Sequence, residues 1–241
     1  MAHPAPRILA FDTSAQLTSL AVCVGDRVLV EEQAASEGKH AEVLLPKLQL
    51  ALDRAGIALA DVDLIGVGVG PGSFTGVRVG VATAKGLGLA LQKPVIGVIS
   101  LAALAFEAAS ATTAAWIAPC LDAYKGELFA ALYARRGAEL DLRMGPFHAP
   151  PAQVRERLAA ASGGASLVLA GPGVTRYAEL LQDAPTSFQT LGAGIAAPSA
   201  SVVARLALVA FERGEIPALS RVAPLYLRDS DAQLPKTPLR V

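Results

Sequence analysis

The sequence predicts an α/β protein built twice over, with two βββαβαβα halves that each carry a mixed sheet and helices on its faces. Two recurrences carry that prediction. A strand ending in a carboxylate and entering a hairpin occurs at residues 8–12 (Ile-Leu-Ala-Phe-Asp) and again at residues 115–121, running to Asp122. A strand running into a Gly-Pro-Gly turn occurs at residues 70–72 and again at 171–173. They come in the same order, which is how an internal duplication reads in a single chain.

The elements run in order along the chain. After the first strand, residues 17–24 alternate and end at the turn Gly25-Asp26, and a third strand covers 28–33. A helix over about 39–55 stops at Gly56. A strand near 62–68, a helix over 73–91, a strand at 95–99 and a helix at 101–109 complete residues 1–110 as the first half. In the second half, residues 111–241, strands are expected at 115–121, 127–135 and 140–147, with turns at Gly126 and Gly137. A helix over 152–161, a strand at 167–170, a short helix near 177–181, a weak strand and a helix from Ser199 to Arg213 complete it.

Composition narrows the function classes. With 21 basic and 21 acidic residues the net charge is zero, so there is no global electrostatic footprint for nucleic acid. Residues 1–7 lack a signal peptide's apolar core, and no stretch is long or apolar enough to span a membrane. Cys23 and Cys120 sit far apart in apolar runs and read as buried free thiols, in keeping with the cytoplasm.

The helix over 73–91 is the most unusual element. Ser73 is placed to cap it, and Gly76, Gly80, Ala84 and Gly88 recur every four residues. Glycine inside a helix costs about 1 kcal/mol relative to alanine, so the ridge needs a reason. It suits either a tightly packed internal helix or close approach by a partner helix. Arg78 and Lys85 form one charged stripe with apolar flanks that include Val77 and Val81, which favours the partner. The helix over 39–55 adds a thin outer strip of Val43, Pro46 and Leu50, bordered by Glu42, Gln49 and Asp53 on one side and Lys47 and Arg54 on the other. Its main apolar face is Ala41, Leu44, Leu45, Leu48, Leu52 and Ala55. His40, Val43, Pro46, Leu50, Gly76, Val77, Gly80, Val81, Ala84 and Gly88 are therefore the expected partner interface.

The local wording is more specific than the pattern. The runs Ile8-Leu9-Ala10-Phe11-Asp12-Thr13-Ser14, Gly38-Lys39-His40-Ala41-Glu42-Val43-Leu44-Leu45-Pro46 and Gly68-Val69-Gly70-Pro71-Gly72-Ser73-Phe74-Thr75-Gly76 stand out. With Pro94-Val95-Ile96-Gly97-Val98-Ile99-Ser100-Leu101, Asp122-Ala123 and Pro224-Leu225-Tyr226-Leu227-Arg228, they resemble the bacterial TsaB (YeaZ) family. That family lies within the actin/Hsp70/sugar-kinase (ASKHA) superfamily. The resemblance is dense over about the first 130 residues and thins afterwards. It implies a non-catalytic member of the machinery that installs N6-threonylcarbamoyladenosine in tRNAs reading codons that begin with A. Its partners would be the catalytic paralogue TsaD and the ATPase TsaE, with tRNA met only within the complex. A homodimer through the same surface is compatible with it. Tyr124-Lys125 stands where the family usually shows an arginine.

The residues themselves argue against catalysis. The catalytic paralogue carries a His-x-x-x-His metal pair, and here that place reads His40-Ala41-Glu42-Val43-Leu44, with one ligand missing. No metal site or cofactor is expected, and His40 reads as a capping or interface residue. No phosphate-binding Gly-x-x-x-x-Gly-Lys loop exists. Asp12, Ser14 and Asp122 occupy superfamily positions for Mg-phosphate, so a weak nucleotide contact stands beside the plainer reading of turn capping. The alternatives to a scaffold are an ASKHA-type phosphotransferase and a glycoprotease-like peptidase.

Overall fold

A computed structural model of the chain describes residues 4–35, 40–177, 188–191 and 195–228, with the side chains of His40 and Ala41 outside that description. The first sheet holds β1 (Arg7–Asp12), β2 (Leu17–Val24), β3 (Arg27–Ala35), β4 (Leu64–Gly68) and β5 (Val95–Val98), in the order β3-β2-β1-β4-β5. The second holds β6 (Trp116–Tyr124), β7 (Glu127–Arg136), β8 (Glu139–Ala149), β9 (Leu167–Ala170) and β10 (Phe188–Leu191), in the order β10-β9-β6-β7-β8. In each, the first three strands pair antiparallel and the last two join parallel, so the two sheets share one topology. The duplicated α/β architecture is present.

Six α-helices lie among the described residues: α1 (His40–Ala55), α2 (Phe74–Leu91), α3 (Ser100–Ser110), α4 (Pro151–Ser162), α5 (Pro172–Arg176) and α6 (Ala200–Glu212). The short helix expected near 177–181 falls beyond Tyr177 on residues outside the description. The helix seen in that region starts earlier, because Pro172 sets a helical φ at the first position after Gly171.

Strand alternation explains the layers. Leu9, Phe11, Leu20 and Val22 face Leu44, Leu48 and Leu52 of α1 and Val77 and Val81 of α2. The other face of the same strands, Ile8, Ala10, Ala21 and Cys23, meets Val203, Ala204, Ala207 and Leu208 of α6. The second sheet is covered by α3 through Leu101, Leu104 and Ala105 on one face, and by α4 and α5 through Val154, Leu158 and Val174 on the other. The halves thus exchange their last helices. α3, from the first half, completes the second core, and α6, from the second half, completes the first. Both cysteines are buried and free, and burial pushes their thiols up to about 11 for Cys23 and about 12 for Cys120. No described helix is long and apolar enough to cross a membrane.

Candidate functional site

Asp12 ends β1 at the centre of the first half and is fully buried. The backbone N–H of Ser14 (2.7 Å) and the Ser14 hydroxyl (2.6 Å) both donate to its Oδ1. The Ser100 hydroxyl donates to its Oδ2 at 2.6 Å and accepts from the Gly70 N–H at 3.1 Å. Burial pushes the Asp12 carboxyl up, against these three donors, which pull it down. Gly68 faces it so closely that a Cβ there would sit 1.9 Å from Oδ2. The loop after Gly70-Pro71 then closes over Ser14, where the Ser73 N–H donates to the Ser14 carbonyl at 2.7 Å. A Cβ on Gly72 would meet that same oxygen at 2.3 Å. Asp12 and Ser14 are spent on joining β1, the Gly-Pro-Gly turn and the start of α3.

Asp122 holds the equivalent place on β6 and is only partly covered. It accepts from the Tyr124 N–H (2.8 Å) and the Tyr177 hydroxyl (3.2 Å), and pairs with Arg176 Nε at 3.3 Å. A cleft of about 440 Å³ runs past it, between Ser14–Leu17 and the first residues of α5. A second cleft of about 480 Å³ lies across the hairpin, between Ala123–Lys125, the start of α2 and residues 225–228.

The glycine ridge of α2 does not face outward. Gly76, Val77, Gly80, Val81, Ala84 and Gly88 are all buried within the chain. The Thr13 hydroxyl donates to the Gly76 carbonyl at 2.7 Å, and a Cβ on Gly80 would lie 2.3 Å from that hydroxyl oxygen. A Cβ on Gly88 would press on Val95 at 2.3 Å. The close approach that the ridge permits is therefore to the chain's own sheet, which corrects the placement of these six residues on a partner surface. The second covering of α2 is also internal. Lys85 Nζ donates to the Val222 carbonyl at 3.1 Å, the Leu225 N–H to the Val69 carbonyl at 2.7 Å, and Arg78 Nε to the Tyr226 hydroxyl at 2.7 Å. Ser73 caps the helix as expected, accepting from the Gly76 N–H at 3.2 Å.

What α2 exposes is a different ridge, Ala82, Gly86 and Ala90, next to Leu89, which is 73% exposed. These small residues also recur every four positions, so the signal was in the sequence. The more conspicuous glycines masked it. On α1, Pro46 and Leu50 (45%) are exposed, Val43 is half-buried, and Leu45, placed by its spacing on the inner face, is 52% exposed. Gln49 Nε2 donates to Asp53 Oδ1 at 2.8 Å along one border, and Arg54 pairs with Glu32 at the other. His40 begins α1, with its side chain outside the description. Among the described residues no group of three or more His, Cys, Asp or Glu is arranged to hold a metal ion. His148 instead shares Nδ1 with Glu127 Oε2 at 3.0 Å.

A family model described as "TsaD: tRNA N6-adenosine threonylcarbamoyltransferase" matches residues 30–236. The Escherichia coli K12 protein named "tRNA threonylcarbamoyladenosine biosynthesis protein TsaB" is 30% identical over 232 residues, covering 94% of this chain and 96% of that one. The chain belongs to the TsaB family. The solved structure of YeaZ from Pseudomonas aeruginosa agrees, with 34% identity, a TM-score of 0.78, and 92% of this chain and 100% of that one covered. For this TsaB-family chain, Ser100 is the site residue that sequence reasoning missed. It stands in the run Ile99-Ser100-Leu101, but nothing in that run says that its hydroxyl spans 88 positions to reach Asp12.

Proposed function

We propose that this chain is a non-catalytic subunit of the machinery that installs N6-threonylcarbamoyladenosine at adenosine 37 of tRNA. It pairs with the catalytic paralogue TsaD, helps dock the ATPase TsaE, and meets tRNA only within that assembly. The observation that carries the reading is near full-length similarity to a protein named for this biosynthesis. The sealed Asp12 supports it, because the carboxylate that would meet Mg-phosphate in a superfamily kinase is already satisfied by three donors.

The pairing surface is the outer face of α1 and α2. Leu45, Pro46 and Leu50 form an apolar strip beside the exposed Ala82, Gly86, Leu89 and Ala90. Small residues let a partner helix approach closely, and the larger apolar side chains supply area to bury. The same face is suited to a two-fold homodimer when no paralogue is present.

The test is co-expression with TsaD, affinity capture and measurement of modified adenosine. Leu45→Glu combined with Leu89→Glu should weaken pairing by at least about thirtyfold, the effect of losing a central contact. Both residues are exposed, so circular dichroism should report an intact fold. Unchanged recovery of TsaD would overturn the assigned face. Turnover of threonylcarbamoyl transfer by the isolated chain would overturn the non-catalytic reading.

A further inference from the structure

Residues 219–228 follow α6 and run back along the length of α2, against its direction. They begin with a single 3-10 turn, Leu219–Arg221, near the end of the helix. There Leu219 Cδ1 lies 3.5 Å from the place that a Cβ on Gly88 would take. Val222 comes next, buried in the first core, with its carbonyl accepting from Lys85 Nζ at 3.1 Å. Leu225 donates its N–H to the Val69 carbonyl at 2.7 Å, just ahead of the Gly-Pro-Gly turn. Tyr226 then closes on the first turns of α2. Its ring centre is 5.3 Å from that of Phe74, and its hydroxyl accepts from Arg78 Nε at 2.7 Å. The run ends at Arg228, whose Nη1 donates to the Ala123 carbonyl in the second sheet at 3.3 Å.

The helix beneath has little of its own to hold it in place. Four of its 18 residues are glycine, each a weaker helix former than alanine. Its first turn carries no acidic residue and its last no basic one, so its own charged side chains do nothing for the helix dipole. The contacts of residues 219–228 supply that support from outside, at both ends and between. They also border the exposed ridge. Arg78 is one turn from Ala82, and Lys85 one turn from Leu89, so each pair shares a strip of helix surface.

We propose that residues 219–228 are a strap that sets the orientation of α2, with Tyr226 and Lys85 as positioning residues for pairing with the catalytic paralogue. This rests on the pairing face proposed above. A chain with its strap unseated presents Ala82, Gly86 and Leu89 at the wrong angle to α1, and it must reseat before it pairs. Apparent affinity then falls by the seated fraction. The fall lies in the association rate, because the complex once formed contains only the seated form.

The test uses the full-length chain, alone and with TsaD. Tyr226→Ala removes the ring and the acceptor at one end of the strap, and Tyr226 is 44% exposed, so the core packing stays intact. Lys85→Met removes the donor to Val222 and keeps an apolar stem. In the isolated chain each variant should speed amide exchange about tenfold over residues 77–89, with the strands of the second sheet exchanging as in the parent. With TsaD, each should slow association by about three- to tenfold and leave dissociation unchanged. Tyr226→Phe, which keeps the ring against Phe74, should restore part of both readouts. Faster dissociation with normal α2 exchange would mean that Tyr226 touches the partner, which overturns the positioning role. Faster α2 exchange with unaltered association overturns it as well, and so does exchange that neither variant changes. Failure of the parent chain to bind TsaD overturns the pairing reading together with this one. Binding by the parent alongside any of those three patterns overturns the strap alone.

Discussion

Asp12 ends β1 and Asp122 stands two residues before the end of the corresponding strand β6, yet one is sealed and the other opens on solvent. The difference lies in the helix after each Gly-Pro-Gly turn. In the first half the turn leads into the 18-residue α2, whose first residues fold back over Ser14 and whose glycines seat it on Thr13. In the second half the turn leads into the five-residue α5, which leaves Asp122 beside Arg176 at a cleft edge. Duplication supplied two equivalent carboxylates. One became a structural hub, and the other stayed at the edge of a cleft.

The largest expected effect comes from that contrast. Asp12→Ala strips three hydrogen-bond donors of their buried acceptor and should cost about 3–5 kcal/mol of stability in urea unfolding. Gly68→Ala, which would drive a Cβ into the same carboxylate, should be comparably severe. Asp122→Ala, by contrast, removes a partly exposed ion pair and should cost under about 1 kcal/mol. Equal costs for Asp12→Ala and Asp122→Ala would break the comparison.

A second experiment sharpens it within α2. Gly80→Val inserts a branched side chain where even a Cβ would contact the Thr13 hydroxyl at 2.3 Å. It should cost about 2–3 kcal/mol, with the melting temperature falling in the isolated chain. Gly86→Ala, with nothing within 4 Å of its added Cβ, should be neutral or stabilising by about 0.5–1 kcal/mol. If Gly80→Val left the isolated chain's stability unchanged and acted only on partner binding, the inward assignment of the ridge would fail.

Most of the fold was legible because periodicity, turn residues and caps agree locally. The hairpin at Gly25-Asp26, the Ser73 cap, the helix starting at Ser199, and the strands ending at Asp12 and at Gly68 and Ala170 before the two Gly-Pro-Gly turns all lie within short windows. The features that escaped are long-range. A small-residue ridge states that something comes close, without saying whether it is a partner helix or the chain's own β1 and β5. The exchange of α3 and α6 between halves is likewise invisible, since an apolar helix face fits either sheet. Leu45 sits at the border of the inner face set by Leu44, Leu48 and Leu52, where spacing alone does not say how far the sheet's cover extends. The covering of α2 by residues 222–228 joins positions 137 and 148 apart in sequence, beyond the reach of any local pattern.

A pH-dependent effect tests the point where the two halves are tied. The start of α6 is held by two carboxylates. Glu31 of β3 accepts from the Ser199 hydroxyl (2.6 Å) and the Ser201 N–H (3.1 Å), and Glu107 of α3 accepts from the Ser199 N–H (3.2 Å). Burial pushes the Glu107 carboxyl up to about 7, opposed by its bond from Ser199 and reinforced by the Glu31 charge. An acid raised on folding binds its proton more tightly in the native state, so its contribution is present at low pH. That contribution is lost as pH climbs from the unfolded value of 4.5 through about 7. Glu107→Gln keeps an oxygen to accept from Ser199 and carries no charge. Its melting temperature should lack the decline seen in the parent between about pH 5 and 8, leaving it about 1 kcal/mol more stable at the upper end after allowance for solvent screening. A variant that still declined over that window would show that the charge there is already well solvated, and that the halves meet at a wetter seam than Ser199 and its two carboxylates describe.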